Sequence, residues 1–402
     1  MIPTLGAFLI LVQPAVAGAF PGADDEVDWP ARGREIVAKV REHFFDAGRA
    51  AAWADRHATY ADGVSDGEAF AAATRRALAD LRTSHTAYYT KDDPEYYGLA
   101  SIFRGAPGTP PSEVASIGVD VAPGGFVRKV FAGGPAEAAG IRRGDEIAFV
   151  DDQPFRPVAS LKGKEGKDVA VDVRGRKDET VRRVILVPRK IDPKREWLED
   201  QEKGARIVER RGRKVAYVPM FSGAGEEPQK ALRRAILEKF AEADALVLDF
   251  RGGWGGANPD FVSIFDQAPP AFEEFSRDGV RTRHDPQWRK PLVLLVDGGS
   301  RSGKEVVAYA VRKHRLGTLV GRTTSGSVVG GRLFPTAGGL LYLAVVDLLI
   351  DGERLEGVGV PVDVEVQDQL PYAEGADPQL ETALDVAANP QAAPRVQPAG
   401  PR

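Results

Sequence analysis

Two short apolar runs, each ending in a glycine-rich turn, constrain the fold of this chain more than any other feature. Ala245-Leu246-Val247-Leu248-Asp249-Phe250 runs into Arg251-Gly252-Gly253-Trp254-Gly255-Gly256. Pro291 to Val296 runs into Asp297-Gly298-Gly299-Ser300-Arg301-Ser302-Gly303-Lys304-Glu305. Both runs are short and almost wholly apolar, the pattern of strands buried on both faces. From Glu305 to His314, Val306, Val307, Ala310 and Val311 share one face and basic residues fill the last turn, which predicts a helix. Further strands at 215–220 and 317–321 and a helix at 228–240 give β–α alternation. That alternation implies a mainly parallel sheet with its working loops at the strand C-termini. A serine at the sharp strand-to-helix turn stands clear of the sheet, and N–H groups at the helix start can receive a developing oxyanion. The same serine can simply cap the helix, and the turn alone does not separate the two roles.

A length of 402 residues suggests two or three domains. Apolar content of 43% and charge of 28% are those of a soluble globular protein. The net charge of −4 offers no basic excess for nucleic acid. Cysteine is absent, which removes disulfides, thiolate catalysis, Cys-ligated metal and a lipid anchor on an N-terminal Cys. The five histidines (His43, His57, His85, His284, His314) have no metal-ligand spacing, so neither a metal nor another cofactor is expected. At the N-terminus an apolar stretch, Leu5 to Val12, precedes Ala15-Val16-Ala17, a small-x-small cleavage pattern without a basic n-region. The stretch is too short for a stable membrane span. Residues 1–19 are expected to be a signal peptide, and the protein periplasmic or secreted.

Residues 20–95 read as a helical domain, with Ile36, Val37, Val40 and Phe44, then Phe70, Ala73, Ala77 and Leu81, at helical spacing. It ends in Leu81-Arg82-Thr83-Ser84-His85-Thr86; residues 91–111 are turn-rich and read as a linker. Residues 190–213 form a charged connection, 340–350 and 358–366 read as strands, and 389–402 as a Pro/Ala-rich disordered tail.

The block Gly134-Pro135-Ala136-Glu137-Ala138-Ala139-Gly140-Ile141-Arg142-Arg143-Gly144-Asp145-Glu146-Ile147 resembles the short helix and following strand of bacterial PDZ domains. A PDZ domain is expected over 112–190. The resemblance places Ile117, Gly118 and Val119 where such domains bind a peptide carboxylate, with a sheet edge accepting the peptide as an added strand.

The order of helical cap, PDZ domain, VLDFRGGWGG, GSRSGKE, GTLVGRTTSG and LEGVGVPVDVEV is similar to the serine peptidase family of C-terminal (tail-specific) processing proteases and the tricorn core protease. The resemblance implies an α/β fold class: an N-terminal helical segment, a β-rich PDZ domain with short helices, and a crotonase-like αβ spiral catalytic core over 191–388. It places the nucleophile on Ser302 rather than Ser300. Tail-specific enzymes pair that serine with a lysine in the loop after the next strand, where this chain has Ser327. Lys304 is a poor substitute, because residues two apart on a helix do not face each other.

The tricorn-like branch offers another base, a histidine in a Ser-His pair with a late glutamate. Thr83-Ser84-His85-Thr86 and Leu355-Glu356-Gly357 stand in the matching places. The resemblance thus implies Ser302 as nucleophile, His85 as general base then acid, Glu356 orienting that base, and Ser84 as a supporting hydroxyl. A serine hydroxyl needs such help, and a neutral imidazole near pKa 6.5 can take its proton. Gly303 and either Gly255 or Gly256 are expected to supply the oxyanion N–H groups. The expected function is a serine endopeptidase acting on peptides or protein tails, with a homo-oligomer left open. Two readings compete: an inactive PDZ-containing peptide-binding scaffold, and a crotonase-like acyl-CoA enzyme, for which a PDZ module and a nucleophile turn have no use.

Overall fold

The computed structural model describes residues 27–389 apart from Gln267. The leader-like segment 1–19 and all but the first residue of the 389–402 tail lie outside them. A six-stranded sheet organises the second half of the chain. Its spatial order is Arg206–Arg210, Arg213–Pro219, Ala245–Asp249, Leu292–Val296, Thr318–Gly321, Val364–Glu365. The first two strands are antiparallel and joined by Arg211-Gly212, both at positive φ (51° and 74°), as a tight hairpin turn requires. All other neighbours are parallel.

Every residue of Ala245–Asp249 and Leu292–Val296 is buried, because helices cover both faces. Side chains alternate: Ala245, Val247, Val293 and Leu295 meet the helix Pro378–Ala388, while Leu246, Leu248, Leu292 and Leu294 pack beneath Glu227–Arg234 and Gly303–Lys313. Burial of each such Val or Leu contributes about 1.5–3 kcal/mol. Parallel order brings the loops after Asp249, Val296 and Gly321 side by side at one end of the sheet, and the site is built there.

The N-terminal helices Trp29–His43, Ala47–Arg56 and Gly67–Ala79 are each started by an aspartate. Asp28, Asp46 and Asp66 accept the N–H groups of Ala31, Arg49 and Ala69 at 2.7, 3.0 and 2.8 Å. These helices do not close a core of their own. Ile36, Val40, Phe70 and Leu78 pack with Val329, Phe334, Leu341, Leu343 and Ala344 from a late hairpin, Val329–Thr336 and Gly339–Asp347. The strand Ala87–Tyr89 pairs antiparallel with that hairpin. The helical segment is therefore stitched to the second half of the chain, and this places residues 84–85 at the sheet's working end.

Four segments differ from the sequence reading, one of them the strand Arg206–Arg210 already described, inside the charged connection. Pro94–Ile102 is a helix inside the expected linker, and Pro193–Gly204 a helix inside the charged connection. The second is started by Asp192, which accepts the Arg195 N–H, and held by buried Trp197. The strand expected at 358–366 shortens to Val364–Glu365. Its first part is a turn, in which Val358 and Gly359 both donate to the Leu355 carbonyl.

The PDZ domain encloses its own core of Ile117, Val127, Ala136, Ile141, Ile147, Val169, Val171 and Val173. Its Phe131 packs edge-on to Phe221, which meets Trp197, and Trp197 stacks on Trp254 at 6.4 Å. An aromatic seam thus joins this domain to the glycine loop after Asp249.

Candidate active site

Ser302 sits at φ 57°, ψ −128°, a conformation that favours glycine and persists in other residues only where the surroundings impose it. Those surroundings are identifiable. The Ser302 N–H lies 3.0 Å from the Ser327 carbonyl and 3.1 Å from Glu305 Oε2. Glu305, in the first helical turn, also accepts from Thr324 Oγ1 and from the N–H groups of Gly326 and Ser327 (2.6, 2.7 and 2.7 Å). Burial pushes its carboxyl up, and these donors oppose the push. One buried glutamate therefore ties the serine turn to the loop after Gly321. Glu305 thus accepts the N–H of the residue that begins the helix, one half of a capping box, and no hydrogen bond among the described residues engages Ser302 Oγ.

Ser300 is placed otherwise. It is fully buried, and its Oγ donates to the Phe250 carbonyl at 2.9 Å while accepting the Asp297 N–H. It braces the turn and does not face the cleft.

Ser84, His85 and Glu356 are brought together. Glu356 Oε1 accepts the Ser84 N–H at 2.8 Å; its Oε2 accepts Ser84 Oγ at 2.8 Å and the Val328 N–H at 2.7 Å. Ser84 Oγ lies 3.0 Å from His85 Nδ1. A serine hydroxyl carries one proton, and here it goes to the carboxylate. Its lone pair must then accept from Nδ1–H, which leaves Nε2 bare as an acceptor. Ser84 stands between Glu356 and His85, so the carboxylate reaches the ring through that hydroxyl. Ser327 holds the Ser302 N–H while its neighbour Val328 holds Glu356, so two consecutive residues link the serine turn to the carboxylate.

The His85 ring packs 5.3 Å from the Tyr342 ring and borders the same cleft as Ser302. Burial pushes the imidazole down to about 4, and the Arg301 charge adds to the effect. His85 is therefore a neutral acceptor throughout the neutral range.

Gly255 packs directly on Ser302. A Cβ there would stand 2.5 Å from Ser302 Cβ, so only glycine fits. No hydrogen bond among the described residues engages the N–H groups of Gly255, Gly256 or Gly303. Beneath this loop lies Lys304, fully buried, with Nζ 2.9, 3.2 and 2.9 Å from the carbonyls of Phe221, Phe250 and Gly252. Burial pushes its ammonium down to about 7, and three carbonyl acceptors hold its protons. Lys304 thus points into the interior as a brace for the glycine loop. The inward course of Lys304 had no local signal in the sequence.

The cleft measures about 1840 Å³ and is bordered by Ser84, His85, Trp254, Gly255, Gly256, Arg301, Ser302, Gly303 and Tyr342, among others. Ile117, Gly118 and Val119 lie apart from it in the PDZ domain. The Gly118 N–H, expected to be open to a peptide carboxylate, donates to Ser116 Oγ at 2.9 Å. Ser116 Oγ in turn donates to Glu196 at 3.0 Å, which sets a carboxylate behind that loop. No group of side chains suited to a metal ion occurs among the described residues, and none of their helices is long and apolar enough to cross a membrane.

Comparison with known proteins agrees with this architecture. Residues 214–366 match the model of peptidase family S41, and residues 108–165 that of the PDZ domain. A carboxyl-terminal-processing protease of Picosynechococcus sp. is 26% identical over 279 residues, 65% of this chain and 66% of that protein. A tricorn protease homolog (homolog 2) of Streptomyces coelicolor is 26% identical over 408 residues, 92% of this chain but 34% of its own length. The chain thus spans just under two-thirds of the first relative and about a third of the second. The solved photosystem II D1 C-terminal processing protease shares the fold, with a TM-score of 0.50 at 21% identity, covering 92% of this chain and all of that one. The chain thus carries a segment similar to peptidase family S41 and, before it, one similar to a PDZ domain.

Proposed function

We propose that this protein is a serine endopeptidase that hydrolyses peptides or protein tails through an acyl-enzyme on Ser302. The observation that carries the reading is the Glu356–Ser84–His85 hydrogen-bond chain, which ends in a bare Nε2 on the cleft that Ser302 also borders. In this reading Nε2 takes the Ser302 hydroxyl proton as Oγ bonds to the scissile carbonyl carbon. The resulting oxyanion is received by the N–H of Gly303 and that of Gly255 or Gly256. His85 then gives the proton to the departing amine nitrogen, and the C–N bond breaks. A water, deprotonated by the same nitrogen, releases the acyl group and restores Ser302. Ser84 and Glu356 hold the tautomer and stabilise the imidazolium while it exists.

Similarity to processing proteases supports peptide or protein substrates, and the leader-like residues 1–19 support a location outside the cytoplasm. The test is hydrolysis of an unstructured protein such as casein by the native chain and by Ser302→Ala. Hydrolysis lost in the variant, with the fold retained by circular dichroism, is the expected result; undiminished hydrolysis overturns the reading.

A further inference from the structure

Arg301 stands between the buried Ser300 and the catalytic candidate Ser302, and its side chain borders the cleft. Its guanidinium carbon lies 5.4 Å from the centre of the Trp254 ring, in the loop that carries Gly255 and Gly256. Its Nε is buried without a hydrogen-bond partner. No hydrogen bond within the described residues takes its remaining nitrogens, and no carboxylate among them comes within ion-pair distance.

Two other cations on the cleft wall are paired, while Lys194, Arg233 and Arg332 there have no ion pair among the described residues. Lys39 pairs with Glu35 at 3.4 Å and Lys230 with Glu226 at 2.6 Å. Arg301 has no ion-pair partner among the described residues, and its field reaches His85, Tyr89, Tyr342 and the carboxyl of Glu95. Around it the wall is mostly aromatic and apolar: Trp254, Tyr342, Tyr89, Phe103, Leu99 and Ile102. Trp254 itself is fixed, stacked on Trp197 and packed against Gly98, where a Cβ would come within 3.1 Å of the indole nitrogen.

A guanidinium held on a fixed aromatic face, desolvated at Nε and with no carboxylate in ion-pair reach, is prepared for an incoming carboxylate. Its planar fork matches a carboxylate with two parallel hydrogen bonds. We propose that Arg301 is a specificity-determining residue that selects substrates carrying an aspartate or glutamate side chain beside the scissile bond. The proposal rests on the peptidase reading above. It assigns the substrate class by charge: an acidic residue with its methylenes on the aromatic wall and its carboxylate on Arg301.

The test uses internally quenched peptides with Glu, Gln, Leu or Lys at one central position, each as free acid and C-terminal amide, with cleaved bonds located by mass spectrometry. The native chain is expected to favour Glu over the isosteric Gln by roughly 10- to 100-fold in kcat/KM, the range for one charge-assisted contact. Arg301→Gln should bring the Glu/Gln ratio near one, and Arg301→Lys should restore part of it. A ratio near one in the native chain, or one that survives in Arg301→Gln, overturns the proposal. So does a preference that follows the free C-terminus instead of the side chain, because the carboxylate recognised would then be the terminal one. Fluorophosphonate labelling in parallel keeps the two readings apart. A labelled Ser302 without Glu/Gln discrimination overturns only the Arg301 assignment, whereas no labelling overturns the peptidase reading itself.

Discussion

Replacing Lys304 by methionine tests whether a buried cation sets the geometry of the glycine loop. The two side chains are similar in length, so the change removes hydrogen bonds without opening a large cavity. Of the three carbonyls that Lys304 serves, two keep another donor: Phe221 O retains the Trp254 N–H at 2.8 Å, and Phe250 O retains Ser300 Oγ at 2.9 Å. Gly252 O loses the one partner it has among the described residues. Leaving one buried carbonyl unsatisfied costs about 1–3 kcal/mol. Relief from burying an ammonium offsets part of this. The net loss should be about 1–2 kcal/mol, a fall of several degrees in Tm at roughly 2–4 °C per kcal/mol. Activity should fall further than stability does. A freed Gly252 peptide lets Gly255 and Gly256 drift, and complete loss of one oxyanion donor costs about 100- to 1000-fold. A partial drift should therefore lower kcat by roughly tenfold to 100-fold, with KM nearly unchanged, because these donors act on charge present only in the transition state. Scanning calorimetry and steady-state kinetics on one peptide read both effects. Unchanged kcat alongside a reduced Tm would show that Lys304 supports only the fold and refute the link to the loop.

The pH profile follows from the sign of the His85 shift. A base must be neutral to act, and a pKa near 4 keeps it neutral above that value, so kcat/KM should stay level from about pH 6 to 8 and fall only as pH drops toward about 4. Stability should decline over the same side: between the unfolded value near 6.5 and the folded value near 4 the unfolded chain binds the extra proton, giving a loss of at most about 1.4 kcal/mol per pH unit. A limb centred near 6.5 would contradict the packing assigned to the ring. Ser84→Ala should lower kcat by roughly 10- to 1000-fold with little effect on KM, since Nδ1 loses its acceptor and the link to Glu356 is cut. An unaltered kcat in that variant would place Ser84 outside the machinery.

How far the sequence revealed this arrangement depends on whether a feature is local. The buried strands 245–249 and 292–296 and the helix 303–313 were legible because periodicity and glycine turns act over a few residues. Val329–Thr336 was not, since Gly330, Gly331 and Arg332 break the alternation and its burial comes from distant N-terminal helices. The same distance hid the junction that carries Ser84 and His85 to Glu356, which rested on family order alone. Trp197 stood in a charged stretch, and only the seam with Phe131, Phe221 and Trp254 explains its burial. Lys304 and Arg301 are polar neighbours in one turn. One enters the core and the other the cleft, a choice made by the strained backbone at Ser302 that no residue pattern encodes.

The central claim is that Ser302 is a nucleophile activated by His85. Its most direct test is the site of covalent modification by a fluorophosphonate, read by peptide mass spectrometry on the native chain, Ser302→Ala and His85→Ala. The account requires the adduct on Ser302 in the native chain, its absence in Ser302→Ala and a labelling rate reduced by at least about 100-fold in His85→Ala. An adduct on Ser300, or labelling of Ser302 at the same rate without His85, would contradict it.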